Sequence, residues 1–115
     1  MELEHIVKLL EGEIVTLHNT TFRKIERGFT SDLMSDVLTL ERCEDVVLLT
    51  GLANIQTIRT MEMAGLYVVA LVRGRKATEE MIALAEENEI VIIETAFSAF
   101  RASAVLFHAG IKPLF

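Results

Sequence analysis

Asp45-Val46-Val47-Leu48-Leu49-Thr50, followed by Gly51-Leu52-Ala53-Asn54, is the stretch that decides the fold class. A continuous β-branched and leucine run without polar alternation reads as a strand covered on both faces, the habit of parallel sheets. The glycine turn after it and an asparagine at an N-cap position then start a helix. The same order recurs downstream. Residues 66–72 form a second apolar run, a turn follows, and Thr78 caps a helix with Glu79 and Glu80 in its first turn, where acidic side chains suit the helix dipole. Residues 90–95 form a third run, and Ser98 caps a helix over residues 99–109 that Gly110 closes.

Working outward, Leu3, Ile6, Val7 and Leu10 recur at helical spacing, which predicts a helix over residues 2–11 with Gly12 as its C′ residue. Residues 13–17 read as a short strand, and His18-Asn19-Thr20-Thr21 as a turn. Residues 22–29 read as a further strand whose alternation is weakened by Lys24, Glu26 and Arg27, which suits a sheet edge. Thr30-Ser31-Asp32 offers capping oxygens before Leu33, Met34, Val37 and Leu38, a helix face reaching about Leu40. The helix after Asn54 runs through Ile55, Ile58, Met61 and Glu62 to Gly65. Lys112-Pro113 ends regular structure. Right-handed crossovers assemble these pieces into a three-layer α/β/α sandwich with a mostly parallel sheet of about five strands.

A chain of 115 residues fits one domain, residues 1–115, able to bury roughly two thirds of its unfolded surface around a single core. The net charge of -6 opposes nucleic-acid binding through a broad basic face. With one cysteine, Cys43, no intramolecular disulfide can form, and a reducing cytoplasm is the simplest setting. The acidic, amphipathic start lacks the basic and apolar regions of a signal peptide, and no apolar run is long enough to span a membrane.

In sheets of this kind ligands bind outside the carboxyl ends of the strands, here at residues 28–32, 50–54, 73–78 and 95–98. The dinucleotide fingerprint and the phosphate-binding P-loop are both missing. Asn54 and Ser98 sit where amide groups at a helix start can hold a phosphate or carboxylate, although ordinary capping is the plainer explanation of each taken singly. Arg73-Gly74-Arg75-Lys76 opposes the acidic trend and offers guanidinium forks for an anion, its plainer reading being a solvated turn that compensates Glu79 and Glu80. Asp32 and Asp36, four apart, suit either Mg²⁺ chemistry or, more simply, a dipole partner and a solvated carboxylate. His5, His18 and His108 lie in separate elements without metal-ligand spacing. Cys43 reads as a small surface or packing residue, and Met34, Met61, Met63 and Met81 as core or interface filler.

Taken in order, residues 28–37, the strand and the Asn54-Ile55 helix, Ala64-Gly65-Leu66, Glu79-Glu80 and residues 94–100 resemble the DRTGG domain over nearly the whole chain. The resemblance implies a small α/β/α fold like the amino-terminal domain of HPr kinase/phosphorylase, a regulatory rather than catalytic role, and dimer formation. The eponymous letters differ: Gly51-Leu52 to Asn54 stand where the family has Asp-Arg, and Val72-Arg73-Gly74 where it has Thr-Gly-Gly. The reading that follows is a cytoplasmic, homodimeric regulatory domain with no catalytic residue, cofactor or metal. It senses an adenine nucleotide or other phosphorylated metabolite through Gly51, Asn54, Arg73, Gly74, Arg75, Thr30, Asp32 and Ser98. Alternatives are a dimerisation or docking module for a partner enzyme, motivated by Phe100, Leu106, Phe107 and Leu114-Phe115, and an Asp32/Asp36 Mg²⁺-dependent phosphate-ester enzyme.

Overall fold

The three apolar runs are the centre of the sheet. In a computed structural model that describes residues 1–17 and 24–115, they form β3 (Val46–Thr50), β4 (Val68–Leu71) and β5 (Val91–Glu94), paired in parallel. Val46, Leu48, Val69, Leu71 and Ile92 face one helical layer, while Val47, Leu49, Val68, Ala70, Val91 and Ile93 face the other. Their alternation is invisible in hydropathy because both faces are covered. The first layer holds α2 (Met34–Val37), α3 (Ile55–Ala64) and α4 (Glu79–Glu87), through Val37, Ile58, Met61, Met81 and Ala85. The second holds α1 (Leu3–Leu9) and α5 (Ala99–His108), through Leu3, Ile6, Ala102 and Leu106. The result is the expected three-layer α/β/α sandwich, and no helix among the described residues is long and apolar enough to cross a membrane.

The sheet has six strands, not five, in the order β1-β5-β4-β3-β2-β6. At one edge β1 (Glu13–Ile14) runs antiparallel to β5. At the other, β6 (Lys112–Pro113) lies parallel to β2 (Arg27–Thr30), so β2 is an inner strand and the chain after Gly110 is not irregular. The Lys112 amide donates to the Glu26 carbonyl at 2.9 Å and the Leu114 amide to the Gly28 carbonyl at 3.0 Å. The tail is held further by Phe115, whose ring meets Phe29 edge-on at 6.0 Å. A two-residue strand containing proline leaves almost no sequence signal, which is why it reads as a stop.

Other boundaries also shift. Of the strand expected over residues 22–29, the described part joins the sheet from Arg27 onward, and Lys24 makes only an isolated bridge to Glu2. The turn at residues 18–21 and the start of that strand lie outside the described residues. Gly12 is not the left-handed C′ residue of α1: Glu11 takes that conformation, with φ of 49°. Glycine is needed at 12 because a Cβ there would lie 2.8 Å from the Glu94 carbonyl oxygen and 2.9 Å from Ile93 Cγ2. Close approach to β5, rather than helix termination, selects the residue.

The order of the strands positions the site. From β2 through β5 the chain moves in one direction across the sheet, with α2, α3 and α4 on one face. After β5 it changes face, and α5 carries it back to β6 beside β2. The adjacent strands β4 and β5 therefore send their following helices to opposite faces, the arrangement that opens a crevice at the carboxyl ends of an α/β sheet.

Candidate functional site

At that crevice the chain leaves β4 through a tight turn. The Arg75 amide donates to the Val72 carbonyl at 3.2 Å, and both central residues have positive φ, 59° at Arg73 and 72° at Gly74. This is a turn with two left-handed residues, which glycine tolerates freely and arginine adopts at a cost of about 1 kcal/mol. The turn is sewn to the loop after β5: the Arg73 amide donates to the Phe97 carbonyl at 2.7 Å and the Gly74 amide to the Thr95 carbonyl at 2.9 Å. Thr95 is buried, and its hydroxyl donates to the Leu10 carbonyl at 2.6 Å while accepting from the Phe97 amide at 3.1 Å. The turn after β4 and the loop after β5 are thus tied together by backbone hydrogen bonds, with Arg73 and Arg75 exposed on the turn.

Arg73, Gly74, Arg75 and Lys76 are all exposed. Lys76 Nζ lies 3.4 Å from Glu94 Oε1, and Glu94 Oε2 accepts from the Ala77 amide at 2.8 Å. The lysine of the cluster therefore compensates Glu94, not Glu79 and Glu80. Among the described residues the Arg73 and Arg75 side chains have no hydrogen-bond or ion-pair partner. A third guanidinium stands on the loop that the arginine turn is bonded to: Arg101 lies over the Phe97 ring at 3.9 Å from its centroid. The sequence reading passed over Arg101, although a cation in the first turn of a helix, against the dipole, is a visible signal.

The neighbouring turn, after β3, behaves differently. Asp32 Oδ1 accepts from the Thr50 hydroxyl at 2.9 Å and from the Gly51 amide at 2.7 Å, and the Thr50 hydroxyl in turn accepts from the Leu52 amide at 3.2 Å. A carboxylate of the chain itself occupies the position where an external anion would meet the Gly51 amide. This overturns the reading of Asp32 as a capping or dipole partner of the next helix. That helix, α2, is a single turn with Leu33 at its N-cap and no side-chain cap, while Ser31 Oγ accepts from the Leu33 amide at 3.0 Å. Asp32 reaches across to β3 because the parallel pairing of β2 and β3 brings Thr30 alongside Leu49.

The remaining candidates are placed as follows. Asn54 Oδ1 accepts from the Thr57 amide at 3.2 Å, and Ser98 Oγ from the Arg101 amide at 3.1 Å, so each side chain caps its own helix. Thr30 shares a hydrogen bond of 2.7 Å with Ser103 of α5, away from the arginine turn. The structure therefore gathers Arg73, Gly74, Arg75 and Ser98 at one place, pairs Asp32 with Gly51 at a second, and sets Thr30 apart. No group of three or more His, Cys, Asp or Glu side chains with metal-binding geometry exists among the described residues.

At the opposite ends of the strands, Arg27 grips Asp45 with two bonds, Nε to Oδ2 at 2.9 Å and Nη2 to Oδ1 at 2.6 Å, and Nη2 also donates to the Arg42 carbonyl at 2.8 Å. The guanidinium hydrogen bond holds the Asp45 carboxyl below its ordinary value, against the opposing effect of burial. Cys43 nearby is buried rather than at the surface, and that burial pushes its thiol up, which keeps it protonated and unreactive.

A second concavity escaped the sequence reading as a site. A groove of about 330 Å³ lies between α5, β2 and the tail, lined among others by Gly28, Thr30, Leu106, Phe107, Ile111 and Phe115.

No protein-family model matches the chain, and no curated protein matches it in sequence. A solved structure does resemble it: the CBS and DRTGG domains of the regulatory region of Clostridium perfringens pyrophosphatase, complexed with the activator diadenosine tetraphosphate. The two share 17% sequence identity and a TM-score of 0.68 over 91% of this chain and 45% of that one. At that identity the likeness is one of fold, and it supports the DRTGG-like architecture. The chain spans less than half of the neighbour's length.

Proposed function

We propose that the chain is a non-catalytic regulatory domain that binds an adenine nucleotide or another phosphorylated metabolite in the crevice between β4 and β5. The observation that carries this reading is the pair of guanidiniums, Arg73 and Arg75, unengaged among the described residues and exposed on a turn where the helices part to opposite faces. Arginine forks match phosphate oxygens in pairs. Arg101 on the Phe97 ring adds a third cation, and the excess of acidic residues elsewhere leaves this crevice as a local attractor for anions. The regulatory origin of the structural neighbour and its nucleotide activator are consistent with the same reading. Binding here changes the activity of a partner enzyme rather than performing chemistry.

The test is thermal unfolding with ATP, ADP, AMP, diadenosine tetraphosphate and inorganic phosphate. A ligand at about 100 times its dissociation constant stabilises by about 2.7 kcal/mol. The Arg73→Ala/Arg75→Ala variant loses that shift and the salt dependence of binding. An unchanged affinity and salt slope in the double variant, or no shift with any of the anions, refutes the proposal.

A further inference from the structure

We propose that the ligand of the crevice is a sugar phosphate, the ribose phosphate part of a nucleotide included, and that its sugar hydroxyls donate to Asp32. The inference rests on the phosphate reading of Arg73 and Arg75 and adds the other end of the ligand.

A path of hydrogen bonds runs along the rim of the sheet from Asp32 to the arginine turn. Asp32 Oδ1 accepts from the Thr50 hydroxyl at 2.9 Å, and the Thr50 carbonyl accepts from the Val72 amide at 3.0 Å. The next residue, Arg73, donates its amide to the Phe97 carbonyl at 2.7 Å. Because β3 and β4 are neighbours and the crevice opens on the far side of β4, a ligand reaching both places spans about one and a half strand spacings, or about 7 Å. A pentose phosphate covers that distance from its ring hydroxyls to its phosphate.

The two places have opposite preferences. Arg73 and Arg75 attract phosphate oxygens, whereas Asp32 repels them and takes a hydrogen-bond donor. Both bonds that fix Asp32 fall on Oδ1, the second from the Gly51 amide at 2.7 Å, so Oδ2 is held in place without a partner among the described residues. Thr50 is buried and Asp32 exposed, which puts the anchor in the core and the carboxylate at the surface. Gly51 keeps the approach open. A Cβ there would lie 3.5 Å from Oδ2, and the backbone at this position does not have the positive φ that demands glycine. In a phosphorylated metabolite the donors at such a distance from the phosphate are the hydroxyls of the sugar. The division of labour is that of dinucleotide-binding sheets, where one part of the rim holds phosphate and an acidic side chain takes the ribose hydroxyls.

The experiment is calorimetric titration of the full chain, in EDTA, with ADP, dideoxy-ADP and inorganic phosphate. Expected is binding of ADP at least about tenfold tighter than of dideoxy-ADP, since an analogue without the hydroxyls leaves a fixed acceptor unpaired. Asp32→Asn keeps an oxygen for Thr50 and Gly51 but removes the charge, so the preference for ADP falls at least about threefold while inorganic phosphate binds more tightly. Gly51→Ala sets a methyl group against Oδ2 and alters no charge, so it lowers the preference and leaves phosphate binding unchanged. Thermal unfolding verifies that both variants stay folded. Equal affinity of the parent chain for ADP and dideoxy-ADP overturns the inference and leaves the phosphate reading standing, as does a preference that survives Asp32→Asn in full. ADP binding that requires Mg²⁺ assigns Oδ2 to a cation and also overturns it. Binding of none of the three compounds refutes both readings.

Discussion

The two ends of the parallel strands handle charge in opposite ways. At the amino ends Arg27 is fully engaged, with two bonds to Asp45 and one to the Arg42 carbonyl. At the carboxyl ends Asp32 is bonded to Thr50 and Gly51 and Lys76 is paired with Glu94, while the Arg73 and Arg75 side chains have no partner among the described residues. An arginine with two bonds to a carboxylate is part of the structure. An arginine held on a strained turn with nothing to bind is available for something else. The contrast separates three cationic side chains that the sequence shows as equals.

The comparison breaks most visibly at Asp32. Asp32→Ala leaves the buried Thr50 hydroxyl and the Gly51 amide without their acceptor, and an unfolding free energy lower by about 2 kcal/mol is expected from denaturant titration. A loss below a few tenths would show that water replaces the carboxylate, and that this turn can also accept an outside anion. The next effect is at the amino ends. Because Arg27 lowers the folded-state pKa of Asp45, the pair's stabilisation is present above the usual carboxylate value of about 4 and is lost as pH falls through the lowered one. Stability measured from pH 5 downward falls less steeply in Asp45→Asn than in the parent chain. Parallel curves would mean that the clamp contributes nothing.

The smallest effect has the opposite sign. Arg73→Gly relieves a left-handed arginine, so the folded state gains about 0.5–1 kcal/mol while nucleotide affinity falls. A chain that becomes both more stable and less able to bind has the signature of a residue kept for function rather than fold. Equal losses of stability and binding would place Arg73 with Arg27 as a structural cation.

Much of this arrangement is legible in the residues, and the exceptions have a common cause. β3, β4 and β5 follow from uninterrupted apolar runs, and the caps at Asn54, Thr78 and Ser98 all accept the expected amide bonds, because a cap is a contact over three residues. Asp32 was misread since its partners are 18 and 19 residues away, and a capping oxygen looks the same in sequence whichever amide it meets. Gly12 was assigned to the wrong task because its constraint comes from Glu94 on another element. β6 was missed because two residues hold no periodicity. The arginine turn was legible as a charged loop, but its position over the crevice needed the strand order, which no local pattern contains.

Among the described residues both edges of the sheet are two residues long, Glu13–Ile14 on one side and Lys112–Pro113 on the other, and the second includes a residue with no amide hydrogen to donate. Short, charged and proline-bearing borders deny a template to any incoming strand. Strand addition at these two borders is therefore disfavoured, although phenylalanines lie bare elsewhere on the surface. Association is then left to side chains, of which Phe100, Phe107 and Phe115 are the most exposed aromatics.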